Sequence, residues 1–190
     1  YLCSDFDPDA FECAPGTLVN PSQYIQAVDG YKKTSHEFRI SSPRENRFRF
    51  VGGLFMQTQE HDIEQRYRIA GDLPDEQSVA GWPATIWLTK QERTDKDSAV
   101  FGEIAYDFTD KLTGTLGARY FRVDNTLKGF FGFADWGWVS GYGENACEDG
   151  APTFNGAPCS FFDKRVEESG TIGKANLTYQ VNDNAMIYGT

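Results

Sequence analysis

The 190-residue sequence contains no apolar run that approaches the roughly 20 residues needed by a membrane-spanning helix. If the chain crosses a membrane, it must do so with strands, because only helices and closed β-barrels satisfy their backbone groups in lipid. Hydrophobic residues make up 39% of the chain, which is low for a soluble core of this length, whereas aromatic residues reach 15%. The strand pattern must therefore decide the fold class.

Side chains typical of enzymes and of nucleic-acid-binding proteins are also scarce. Acidic residues outnumber basic ones, and the net charge of -10 argues against nucleic acid as a partner. The two histidines, His36 and His61, have no cysteine nucleophile beside them and no metal-site spacing. The sequence also contains no glycine-rich phosphate loop. We therefore expect no enzymatic activity, no cofactor and no metal centre.

An acidic segment near the N-terminus partly resembles a calcium-binding loop. Asp5, Asp7 and Asp9 have the spacing of the first ligands in such a loop. However, Ala10 replaces the expected glycine, and Gly16 replaces the expected glutamate. We interpret this segment as a solvated acidic loop.

The clearest structural pattern lies in residues 99–121. Apolar side chains alternate with polar ones from Val100 to Phe108, and again from Leu112 to Tyr120. A period of two over this many residues indicates β-strands rather than helix. The segment is therefore predicted to form a hairpin.

The register of this hairpin follows from its two apolar sets. They share one face of the sheet if Phe108 pairs with Leu112, which leaves a three-residue turn at 109–111. In that register Glu103 lies diagonal to Arg119 on the polar face, within reach of an ion pair.

Two further hairpins have the same alternation. Residues 35–57 are predicted to pair around a turn at 43–45, with Ser42 opposite Asn46. The C-terminal segment is predicted to turn at 182–184, where asparagine suits left-handed backbone geometry. The chain thus contains about six strands, the last of them incomplete.

Short and long connections alternate along the chain. We predict an all-β antiparallel meander that forms part of a large transmembrane β-barrel, with short periplasmic turns and long extracellular loops. The predicted extracellular loops are 1–33, 58–85 and 124–165.

The facing of the side chains follows from this interpretation. In a large membrane barrel the apolar face meets lipid and the polar face lines the lumen, whereas in a soluble sheet the apolar face covers a core. Val100, Ile104, Leu116 and Leu177 should therefore point outward, and Tyr120 should mark the outer aromatic girdle. The periplasmic girdle is predicted to comprise Phe38, Phe48, Phe50, Tyr106, Phe108 and Tyr179.

All four cysteines lie in the predicted extracellular loops. They form two local pairs in the sequence, which suits disulfides in an oxidising compartment. We predict bonds between Cys3 and Cys13 and between Cys147 and Cys159, since short loops close at a lower entropic cost than distant ones. Free thiols remain the alternative.

Three stretches resemble the barrel of TonB-dependent outer-membrane receptors. They are HEFRISS with FRFVGGLFMQ, then AVFGEIAYDFTDKLTGTLGARYF, and finally GKANLTYQVNDNAMIYGT. The middle stretch is the most specific, with its FGE-type strand, its TDKL turn and its GARY strand end. The resemblance covers about half of the chain, and the long loops match no family that we can name.

This resemblance implies a 22-stranded barrel in the bacterial outer membrane, closed by an N-terminal plug. It also implies active import of a scarce ligand, commonly a ferric siderophore and sometimes cobalamin or a carbohydrate. Energy would come from the TonB complex through a TonB box that precedes the plug. Because neither plug nor TonB box is present, we expect residues 1–190 to be an internal segment of such a barrel.

The candidate ligand-binding residues are mainly aromatic. Trp136, Trp138 and Tyr142 could stack on a ligand at the barrel mouth, or pack the loops against one another. Arg119, on the inner face, could attract an anionic ferric chelate, or pair with carboxylates of the wall. Two other functions stay open, namely a passive channel or adhesion barrel, and a soluble β-sandwich binding module.

Overall fold

The computed structural model describes residues 3, 5–7, 12–71, 73–135 and 142–190. Its strands are β1 (Phe6–Asp7), β2 (Glu12–Cys13), β3 (Gln23–Ser41), β4 (Phe48–Ile69), β5 (Thr85–Asp107), β6 (Leu112–Phe133), β7 (Phe162–Asn182) and β8 (Ala185–Gly189). In the described part of the chain, β3 to β8 form one antiparallel sheet in sequence order. The predicted all-β meander is therefore confirmed.

The remaining elements are small. β1 and β2 pair antiparallel as a separate ribbon near the N-terminus. Helical structure within the described residues is limited to two short 3₁₀ segments, Asp75–Gln77 and Gly143–Ala146. None of the described helices has the length and apolar character that would let it span a membrane.

The strands are longer than the alternating sequence pattern suggested. β3 begins at Gln23, β4 continues to Ile69, and β6 continues to Phe133, so each enters a segment predicted to be loop. Strands therefore occupy parts of the segments 1–33, 58–85 and 124–165, and the extracellular location of these segments stays a prediction. The physical reason is that backbone pairing extends the ladder where apolar and polar side chains no longer alternate strictly, and a pattern search does not detect such a strand.

The turn at 109–111 has the predicted register. The Phe108 amide donates a 2.8 Å hydrogen bond to the carbonyl of Leu112. The Thr109 hydroxyl accepts hydrogen bonds from the amides of Lys111 and Leu112, at 3.2 and 3.0 Å. This side chain therefore stabilises the tight connection between β5 and β6.

The turn predicted at 43–45 is wrong. The Ser42 amide donates to the Phe50 carbonyl at 3.0 Å, so the partner predicted for Ser42, Asn46, lies within a longer connection. Pro43 has no amide to donate in a tight hairpin. Arg47 is drawn towards β5, where its guanidinium donates to the backbone carbonyl of Asp107 at 2.9 Å. Because Ser42 pairs with an even-numbered residue in both registers, the even-numbered side chains of β3 and β4 still share one face, as predicted.

The last hairpin has a tighter turn than predicted. Asn182 pairs directly with Ala185, which leaves two residues in the turn rather than the three at 182–184. The Asn182 side-chain oxygen accepts the Asn184 amide at 2.9 Å, and the register shifts between Gln180 and Asn182. Tyr179 still pairs with Ile187, so the apolar residues of β7 and β8 share a face.

The chain divides into two compact units. We call Tyr1–Lys32, Glu60–Thr94 and Thr126–Arg165 the loop unit, because it contains the long connections. We call Lys33–Gln59, Asp95–Asn125 and Val166–Thr190 the turn unit, because it contains the three short connections between strands.

The turn unit exposes its apolar face. Val100, Ile104, Leu116 and Leu177 are 46–58% exposed, whereas the alternating polar residue Glu103 is half-buried. The aromatic residues predicted for the periplasmic girdle are exposed on the same faces. This facing is the reverse of a soluble sheet, and it is the one that a lipid-facing barrel wall requires.

The loop unit has an apolar core of its own. Leu88 of β5 and Phe130 of β6 are fully buried together with Val79, Ala157 and Cys159. A second, smaller cluster contains Ile69, Leu73 and Ile86. The long connections therefore pack on the ends of the strands.

Candidate functional site

The polar face of the turn unit forms a depression of about 480 Å³. Strands β3 to β7 each contribute side chains to it, since alternation directs every second residue to this face. Its charged residues are Glu37, Arg39, Glu103, Arg119 and Lys174, and its rings are Phe55 and Phe101. The surface is thus a charged wall interrupted by aromatic side chains.

Ion pairs compensate most of this charge. Lys174 of β7 contacts Glu103 of β5 at 2.6 Å, and Arg39 pairs with Glu37 on β3. The predicted ion pair between Glu103 and Arg119 is wrong, because Lys174 reaches Glu103 from the neighbouring strand. Gly117 lies directly opposite Glu103, and a Cβ atom there would be 3.5 Å from the Glu103 carboxylate.

Arg119 is the least compensated basic side chain of this face. Its nearest carboxylate oxygen, on Asp97, lies 3.8 Å away, and the other oxygen of Asp97 is buried without a hydrogen-bond partner in the described structure. The guanidinium also lies 5.5 Å from the centre of the Phe55 ring, within the range of a cation–π contact. Arg119 can therefore take an additional anionic partner.

A second arginine on this face has a structural role. Arg49 forms a bidentate pair with Asp107, and Thr113 donates to the same carboxylate at 2.6 Å. This network joins β4, β5 and β6 close to the tight turns. Because the carboxylate is saturated by three hydrogen bonds, the network fastens the wall and is not a candidate for ligand capture.

The aromatic candidates belong to the loop unit. Tyr142 is 54% exposed, and its ring centre lies 5.4 Å from that of Phe131. Trp136 and Trp138 lie outside the described residues. Tyr142 is the exposed member of an aromatic cluster that also includes Trp87, Phe131, Phe133, Phe161 and Phe162.

Two glycines allow the segment after residue 141 to approach β6. Gly132 has φ +140° and Gly143 has φ +76°, and a Cβ atom on either residue would collide with backbone atoms beside the other. Any larger residue at these positions would push Tyr142 away from Phe131. The cluster therefore depends on glycine at both positions, 132 and 143.

Hydrogen bonds hold the long connections together. The Glu144 carboxylate accepts the amide of Asp135 at 2.8 Å and also the amide of Ala80. The Trp82 indole donates to the carbonyl of Gly156 at 2.8 Å. The connection before β5 and the connection after β6 are thus joined directly to each other.

Each pair of cysteines that the sequence suggested is joined by a disulfide. Cys3 and Cys13 have Cα atoms 5.7 Å apart, and those of Cys147 and Cys159 are 5.8 Å apart. Cys3 and Cys159 are almost fully buried. The second bond lies against the core of the loop unit, so it restrains a packed connection.

No group of three potential metal ligands is present among the residues that the structure describes. Of the acidic motif, Asp5 and Asp7 are described, while Asp9 is not.

Most members of the aromatic cluster were not among the predicted site residues. Trp87 lies on β5, and Phe131 and Phe133 lie on β6 within the segment 124–165 that was predicted to be a loop. Their odd-numbered spacing on β5 and β6 continues the polar-face positions of those strands, and this is the signal that could have found them. Phe161 and Phe162 joined the cluster through long-range packing that no local pattern encodes.

The exposed apolar face and the ion-paired polar face together define a segment of an outer-membrane β-barrel wall. A family model described as "TonB dependent receptor-like, beta-barrel" matches residues 6–190. The chain therefore belongs to this family, whose members reside in the bacterial outer membrane.

The comparison with solved structures supports the same fold. The ferric yersiniabactin uptake receptor FyuA from Yersinia pestis is similar, with a TM-score of 0.62 and 14% sequence identity. The match covers 88% of this chain and 21% of that receptor, so the chain spans about a fifth of its length. No curated protein matches the chain.

Proposed function

We propose that the chain is part of an outer-membrane TonB-dependent active transporter that imports a scarce ligand, most simply a ferric siderophore. The observation that carries the proposal is the reversed facing of β5 and β6, with apolar residues exposed and charged residues on the other face. A charged inner wall suits the passage of a polar ligand across an apolar membrane. Family membership supports the energy coupling, which would require the TonB complex and a plug.

Tyr142 and Arg119 are the proposed ligand contacts in the described structure. An exposed phenol backed by Phe131 offers a rigid stacking surface to a ligand ring. Arg119, with its carboxylate partner only at 3.8 Å, offers a charge for an anionic chelate. Trp136 and Trp138 belong to the same segment as Tyr142 and are proposed as further stacking residues.

The first experiment tests active transport in cells that express the full-length protein. Uptake of a panel of radiolabelled ferric siderophores should require both the full-length protein and an intact TonB complex. Uptake that continues at the same rate without TonB would instead identify a passive channel. If no siderophore is taken up but cobalamin or a sugar is taken up in a TonB-dependent way, active transport is supported and the proposed siderophore ligand is refuted.

The second experiment tests the proposed contacts. Tyr142→Ala should weaken ligand binding by roughly 2- to 10-fold, the range expected for losing one aromatic contact. Tyr120→Ala is the matched control, because Tyr120 is similarly exposed but lies on the outward face. Arg119→Gln should weaken an anionic ligand more than a neutral one. If Tyr142→Ala and Tyr120→Ala change ligand binding equally, Tyr142 is not a ligand contact.

A further inference from the structure

The disulfide between Cys147 and Cys159 is enclosed by the apolar core of the loop unit. Cys159 is 1% exposed and belongs to a buried cluster, and Cys147, which is half-buried, packs against the same cluster. The other buried members are Val79, Leu88, Phe130, Ala134 and Ala157. Trp82 and Phe161 also pack on this cluster. In the folded loop unit the side chain of Cys159 is therefore closed to a second protein.

The bond and the cluster differ in the sequence separation of the residues that they join. The two cysteines are 12 residues apart. The cluster joins Val79, in the connection before β5, to Phe130 on β6 and to Cys159 in the connection after β6. Because closing a short loop costs less entropy than closing a long one, contacts between distant segments are slower to form. The two cysteines therefore meet in the unfolded chain sooner than the cluster closes around them.

Formation of the bond requires open access to the cysteines. A thiolate acquires its disulfide partner by attacking a sulfur of an existing disulfide, so a carrier protein must bring its own sulfur against that of the chain. Cys159 offers no such approach once it is buried. Members of this family reside in the bacterial outer membrane, and a chain bound for that membrane crosses the periplasm, where protein dithiol oxidases maintain oxidising conditions.

We propose that Cys147 and Cys159 are substrates of a periplasmic dithiol oxidase, which joins them in the unfolded chain before the loop unit packs. One cysteine thiolate attacks the disulfide of the oxidase and forms a mixed disulfide. The other cysteine thiolate then attacks the chain's own sulfur in that mixed disulfide and releases the oxidase. The chain loses two electrons and two protons, and the oxidase leaves as a dithiol. The bond is thus made first, and the apolar cluster then closes over it.

The first test follows the order of events in cells that express the full-length protein. The variant Cys3→Ser/Cys13→Ser is used, with any cysteine beyond residues 1–190 also replaced by serine, so that only one bond is observed. After a pulse of labelled amino acid, a polymer-linked maleimide counts the free thiols, and mobility on unheated gels reports the folded barrel. The bond should appear before the folded barrel, and roughly tenfold or more slowly in cells that lack the oxidase.

Two results of this test would overturn the proposal. One is a folded barrel that still has both thiols free and forms the bond afterwards. The other is an unchanged rate of bond formation in cells without the oxidase. If the serine variant does not fold, the unmodified protein is followed instead, and peptide mapping separates the Cys147–Cys159 bond from the Cys3–Cys13 bond.

The second test measures how well the folded protein protects the finished bond. Dithiothreitol should reduce it at least about tenfold more slowly in the purified, folded full-length variant than in the same protein unfolded by guanidinium chloride. Oxidised glutathione, reduced under both conditions, is the control for an effect of guanidinium on the reductant. Equal rates for the folded and the unfolded protein would show that the loop unit leaves the bond open, and would overturn the proposal.

Discussion

Replacing Leu116 with arginine in the full-length barrel should destabilise it strongly. Leu116 lies on β6 opposite Ile104, midway along the apolar stretch, and both side chains are about half exposed on the outward face. A charged side chain at this depth would be surrounded by acyl chains. Arginine on the lipid face near the bilayer midplane costs about 2–4 kcal/mol of folding free energy.

Thr115→Arg is the matched control for this change. Thr115 precedes Leu116 on the same strand, so it lies at nearly the same depth but on the polar face, where it is half-buried. A long basic side chain can remain hydrated on the lumen side. We therefore expect Thr115→Arg to cost much less than Leu116→Arg.

The assay is reversible unfolding by guanidinium chloride of the full-length protein in lipid vesicles, followed by tryptophan fluorescence. Both variants and the unmodified protein are compared in vesicles of the same composition, because the cost of arginine depends on depth in the bilayer. Equal losses of unfolding free energy for the two variants would refute the assignment of faces. A larger loss for Thr115→Arg would indicate that the polar face is the one in lipid.

Two other predictions concern the loops and the sheet edges. Peptide mapping of the unreduced full-length protein should recover Cys3 linked to Cys13 and Cys147 linked to Cys159, and crosslinks between the two pairs would contradict separate loops. Residues 1–190 expressed alone should aggregate or require detergent, because β3 and β8 are unpaired edges of the described sheet and the apolar face would meet water. A sharp monomer peak in size-exclusion chromatography without detergent, with a cooperative melt, would favour a soluble sandwich.

The alternating pattern predicted the part of the fold that lipid constrains. The face that meets lipid must be apolar between Val100 and Phe108, so apolar and polar residues alternate strictly there. Matching this apolar set with that of β6 gives the turn at 109–111. Beyond this stretch the strict alternation stops: the end of β4 is polar on both faces, and the end of β6 carries neighbouring aromatic residues, so the pattern no longer marks either as a strand. The ends of β4 and β6 were missed for that reason.

Contacts between distant strands were harder to predict. The partner of Glu103 is Lys174 rather than Arg119, and this choice depends on the register between β6 and β7, which a long connection leaves undetermined. The 43–45 turn failed because Arg47 donates to the backbone carbonyls of Asp107, the last residue of β5, and of Phe108, the residue after it. Tyr142 was identified from composition, but its contact with Phe131 required the three-dimensional structure.

Labelling of the full-length protein in intact cells tests the barrel topology most directly. Asp149→Cys places an exposed thiol in the long connection after β6, and Asp110→Cys places one in the tight turn between β5 and β6. The four cysteines of residues 1–190 are all disulfide-bonded, so they should not react with a membrane-impermeant maleimide, and any cysteine elsewhere in the full-length protein is replaced by serine beforehand. Asp149→Cys should be labelled in intact cells, and Asp110→Cys should be labelled only after the outer membrane has been permeabilised. Labelling of both thiols in intact cells, or of Asp110→Cys alone, would contradict a barrel wall with external loops and periplasmic turns.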